Sequence, residues 1–86
     1  MSIHETNSTA ATGDIPDGNK LFELGLMYST GRSMPPDMVS AHKWFNIAAL
    51  RGHSEAARLR REIASEMSEA EIAVAQRAAR DWVTHH

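Results

Sequence analysis

Leu24-Gly25-Leu26-Met27-Tyr28-Ser29-Thr30-Gly31, followed beyond Pro35-Pro36 by Asp37-Met38-Val39-Ser40-Ala41-His42-Lys43-Trp44-Phe45-Asn46-Ile47-Ala48-Ala49-Leu50-Arg51-Gly52, decides the fold. Small residues (Gly25, Ala41, Ala48, Ala49) and large ones (Leu24, Tyr28, Trp44, Phe45) interleave at helical spacing on two adjacent segments. Helices that approach closely need this arrangement, because a Gly or Ala on one axis makes room for a ring from the other. The pattern predicts that Trp44 and Phe45 together form a core wedge above Gly25 rather than a ligand-stacking pair.

Working outward, Asp17–Asn19 offers a cap for a first helix that runs to about Thr30. Its apolar positions Leu21, Leu24, Tyr28 and Phe22, Gly25 recur one turn apart. Gly31 suits a helix stop, Pro35-Pro36 forbid helix behind them, and Asp37 is placed to cap the next segment. The second helix, about 38–51, carries Met38, Ala41, Trp44, Phe45, Ala48 and Ala49 on one face, with His42, Lys43, Asn46 and Arg51 elsewhere. Gly52 ends it. A third helix, about 54–66, has a stripe of Ala56, Leu59, Ile63 and Met67. Ser68-x-x-Glu71 has capping-box spacing and opens a fourth, about 69–83, with Ile72, Ala75, Ala79, Trp82 and Val83 inward. No segment alternates with period two, so the fold class is all-α.

With Leu24-Gly25-x-x-Tyr28-x-x-Gly31 and Asp37-x-x-x-Ala41-x-x-Trp44-Phe45-x-x-Ala48-Ala49-x-x-Gly52-x-x-x-Ala56, the chain resembles the Sel-one-like repeat family of tetratricopeptide-like units. The resemblance implies a short α/α solenoid of about four antiparallel helices, one full repeat plus a closing helix pair. It also implies an adaptor or scaffold role, often bacterial. Three departures stand out. Ser33 falls where the family favours glycine in the inter-helix turn. Lys20 replaces a small residue, as suits a first helix with no predecessor. Arg60-Arg61 occupy the Leu-Gly place of a second unit, so the array is expected to stop there. Solenoids normally need about three units to bury a continuous core, so the open face must be covered by the last helix or by another molecule.

Composition narrows the function. Residues 1–19 hold only Ile3 and Ile15 as large apolar side chains and read as a flexible polar N-terminal arm, with the helical domain at 20–86. That domain is below the roughly 70–80 residues at which a single core is comfortable. All nine Lys and Arg lie at or after Lys20, and three of the eleven acids lie before it, so neither part is strongly basic. Nucleic-acid binding is therefore not expected. The absence of cysteine excludes disulfides, thiolate metal sites and thiol nucleophiles. No secretory leader or membrane-length apolar run is present, so a cytoplasmic chain without membrane contact is expected. The Met1 start and closing helix favour a whole chain over a piece of an array.

No catalytic constellation, cofactor motif or metal-ligand spacing is found. His42 and His53 fall on different elements, His4 lies in the arm, and His85-His86 end the chain. Ser, His and Asp occur without a framing elbow or phosphate loop, so the chain is read as not an enzyme. Arg51, Arg58, Arg60 and Arg61 form a candidate basic patch for an acidic partner. Glu55, Glu62 and Glu66 at helical spacing make a solvated, ion-paired face the plainer reading. Met27, Met34 and Met38 around the inter-helix turn either fill the core or give an adaptable contact surface.

The expected function is that of a non-catalytic protein–protein interaction module, a small adaptor or regulatory scaffold. By analogy with two-helix repeats, its candidate partner surface is the inner face of helices one and three: Glu23, Met27, Arg58 and Glu62. Alternatives are a homo-oligomeric structural module, such as a homodimer, or a weak polyanion binder through the arginines.

Overall fold

The computed structural model describes residues 17–31 and 35–85. Among the described residues there are four α-helices and no strand: α1 (Gly18–Thr30), α2 (Met38–Leu50), α3 (Ser54–Ala64) and α4 (Glu69–His85). The fold is all-α, with each helix within two residues of its expected span. The arm at 1–16, the Arg32-Ser33-Met34 turn and His86 lie outside the described residues.

Local chemistry sets the ends. The Asp17 carboxylate accepts from the Lys20 amide at 3.0 Å, and Asp37 does the same for Ser40 at 3.0 Å. The Ser40 hydroxyl adds a bond to the other Asp37 oxygen at 2.8 Å. These bonds favour the ionised form, so the Asp37 carboxyl is held below the usual aspartate value, chiefly by the Ser40 amide. Ser68 and Glu71 form the reciprocal box: the Ser68 amide donates to Glu71 Oε1 at 2.9 Å and the Glu71 amide to Ser68 Oγ at 3.0 Å. Gly31 closes α1 in the left-handed region, at φ 68°, with its amide on the Met27 carbonyl at 3.1 Å. That conformation favours glycine because it has no Cβ to clash.

α1 and α2 lie along one another. Gly18 sits beside Ala48 and Arg51, Gly25 lies under Phe45, and the Asp37 amide reaches back to the Tyr28 carbonyl at 2.9 Å. The chain therefore doubles back between them. A Cβ built on Gly25 would overlap Phe45 Cδ1 and Cε1 and stand 3.0 Å from Cγ, so only glycine fits under the ring as placed.

Trp44 departs from the expected wedge. Its indole meets Trp82 of α4 edge-on, ring centres 5.5 Å apart and planes at 78°. Adjacent helical residues diverge by about 100°, so a helix that seats Phe45 on α1 must turn Trp44 elsewhere.

α2 is the centre of the fold, with α1, α3 and α4 each packed against it. This overturns the single-stripe reading of that segment. His42, assigned to the polar side, is 3% exposed, and Ile47, outside the stripe, is fully buried. A helix with three neighbours buries more than one face. Val83, expected inward, is instead 38% exposed, whereas Ala75 and Ala79 are buried.

Phe45, Leu21 and Ile47 are the largest fully buried side chains, and Ala41, Ala48, Ala56, Ala75 and Ala79 make up the remaining buried apolar positions. Each large side chain contributes about 1.5–3 kcal/mol by burial. The alanines add little area but permit close approach of the helix axes. Phe22, Leu24, Tyr28, Leu59, Ile63 and Trp82 pack around this centre half-buried.

Candidate functional site

On α1, the expected residues Glu23 and Met27 border one shallow depression of about 250 Å³ together with Lys20 and Leu24. Glu23 is exposed and Met27 half-buried, so a thioether shares one surface depression with a cation and an anion. This arrangement suits an adaptable apolar contact with a polar edge. Met38 is half-buried at the start of α2, and Met34 lies outside the described residues.

On α3, Arg58 and Glu62 are joined to each other. Arg58 donates to Glu55 one turn before it and to Glu62 one turn after it. The guanidinium holds the Glu55 carboxyl below its usual range, and Glu55 in turn raises Arg58. All three are exposed, so the pairs order the surface more than they stabilise the fold. The structure thus groups Glu23 with Met27 and Arg58 with Glu62. α1 and α3 are not a principal packed pair.

The four arginines of the candidate basic patch are differently engaged. Arg58 is ion-paired. Arg60 is half-buried and donates to Asn46 Oδ1 of α2 at 2.6 Å, which explains how an arginine stands at a packed position. Arg61 is exposed. Arg51 follows α2 and borders a polar depression of about 200 Å³ with Asp17, Gly18, Asn19, Gly52 and His53.

Two histidines have structural roles absent from the sequence reading. His53 caps α3 by accepting the Ala56 amide on Nδ1 at 3.1 Å, and it stacks on Phe22 with ring centres 4.2 Å apart. His42 is buried on α2 with Nδ1 unpaired. Burial, and secondarily the charge of Arg60, lowers its pKa. Among the described residues, no three His, Asp or Glu side chains are grouped to hold a metal ion. No described helix is long and apolar enough to cross a membrane.

A further groove, of about 450 Å³, opens between α2 and α4, lined by Asn46, Leu50, Gln76, Ala79, Arg80, Val83 and Thr84. Leu50 is 68% exposed at its edge. The signal was present in the sequence: Leu50 falls outside the α2 stripe, yet it is a large apolar residue at a helix end.

Comparison with protein-family models, with curated proteins and with solved structures gives no match. The functional reading therefore rests on the chain's own residues and geometry.

Proposed function

We propose that this chain is a non-catalytic protein–protein interaction module of the Sel-one-like, tetratricopeptide-like type, acting in the cytoplasm as a small adaptor or regulatory scaffold. The observation that carries the reading is the seat of the Phe45 ring on the bare backbone of Gly25. It is the contact that the Leu24-Gly25 and Trp44-Phe45 pairs require if α1 and α2 form one antiparallel repeat unit. Met27 with Glu23, and Arg58 with Glu62, present an apolar contact and fixed charges to a partner.

Affinity capture from the source cells, with the intact chain and with Met27→Glu and Arg58→Glu variants, tests this. A partner retained by the parent chain and lost from both variants, at unchanged melting temperature, supports the reading. Capture that is indifferent to both substitutions refutes the surface. Exposed Leu50 and Val83 favour a second reading, in which copies of the chain pair with one another.

A further inference from the structure

We propose that the groove between α2 and α4 is a self-association surface, in which the α4 helices of two copies of this chain lie antiparallel across a twofold axis. A single exposed leucine is ordinary. Here Leu50 and Val83, both exposed, line one concavity with buried Ala79 and the polar side chains of Asn46, Gln76, Arg80 and Thr84, so two exposed apolar residues share one partly polar groove. The surface is separate from the one on α1 and α3, so its failure leaves the adaptor reading standing.

The order of charge along α4 selects a second copy as the occupant. Gln76, Arg80 and Val83 recur at i, i+4 and i+7, so they share the flank of α4 that lines the groove. The same period carried backward reaches Ile72 and Glu69. This flank is acidic at its start, neutral in the middle and basic towards its end.

A helix of that order complements its own reversed image. With the axis near Gln76, Glu69 of one copy falls within a turn of Arg80 of the other, and symmetry makes the contact twice. Leu50 of each copy then covers the Ile72 half of the opposite helix. Glu69 and Arg80 are both exposed, and neither forms an ion pair among the described residues.

Analytical ultracentrifugation of the whole chain over a concentration series tests the proposal. The parent chain is expected to pass from monomer to dimer mass as concentration rises. Leu50→Ser and Val83→Lys should each weaken association roughly tenfold or more. Glu69→Lys and Arg80→Glu should each weaken it, and the two together should restore it. Circular dichroism checks that the variants keep their helix content. A monomer at every concentration, a dimer unaffected by Val83→Lys, or single charge reversals that the double reversal does not rescue would overturn the proposal.

Discussion

Gly25→Ala is the most informative single perturbation, because two effects of opposite sign meet at that position. In an exposed helix interior, alanine is more stable than glycine by about 0.5–1 kcal/mol. At Gly25 the added methyl overlaps Phe45 Cδ1 and Cε1, and Phe45 is 1% exposed, so the ring must shift within the core. Overpacking of this kind costs about 1–3 kcal/mol, so the steric term wins and a net loss of about 1–2 kcal/mol is expected. In a domain this small, that corresponds to a fall in melting temperature of roughly 5–15 °C. The assay is urea unfolding followed by far-ultraviolet circular dichroism, run as a double-mutant cycle with Phe45→Leu. Leucine lacks Cε1 and keeps smaller, more adaptable branches at Cδ, so the clash is eased and Gly25→Ala should cost less against it, with a coupling of about 0.5 kcal/mol or more. A Gly25→Ala variant that is more stable than the parent chain, with no coupling to position 45, would refute the close approach of α1 and α2.

Three further outcomes follow from particular contacts. The buried His42 imidazole takes a proton less readily in the fold than in the unfolded chain, whose histidine pKa is about 6.5. Its contribution is full above that pH and is lost as pH falls towards the lowered folded value, so the urea midpoint should drop below about pH 6.5 and His42→Gln should flatten the drop. Ser68→Ala removes one half of the box that starts α4 and should cost about 1 kcal/mol in the same unfolding assay, whereas an unchanged midpoint would mean the box contributes nothing. Arg58→Ala breaks only exposed ion pairs and should leave the melting temperature unchanged; a clear fall would show that α3 depends on them.

Helix ends were legible because their determinants are local: Asp37, Gly31 and the Ser68–Glu71 pair act within a single turn. Burial on α2 was only partly legible. A stripe predicts one buried face, and nothing in the segment announces that α4 would come back to meet Trp44 or that Ile47 would be buried as well. The same long-range packing explains His42, whose polarity placed it outside, and Arg60, which enters a packed position because Asn46 accepts its guanidinium. His53 was missed as a cap because that role is usually filled by Ser, Thr, Asp or Asn. In the candidate site, pairs one turn apart, such as Arg58 with Glu62, could be read from spacing. The groove beside Leu50 was legible only in part: Leu50 stands outside the α2 stripe in the sequence, but the concavity exists only where α2 meets α4.

The division of labour between Phe45, turned to α1, and Trp44, turned to α4, underlies both the fold and the surfaces derived from it. Proton–proton nuclear Overhauser contacts in solution test it most directly. Cross-peaks from the Gly25 α-protons to the Phe45 ring, with those protons shifted upfield by the ring current, together with contacts between the Trp44 and Trp82 indoles, are the predicted result. Gly25 α-protons at random-coil shifts without aromatic contacts, or a Trp44 indole that meets α1 instead of Trp82, would contradict it.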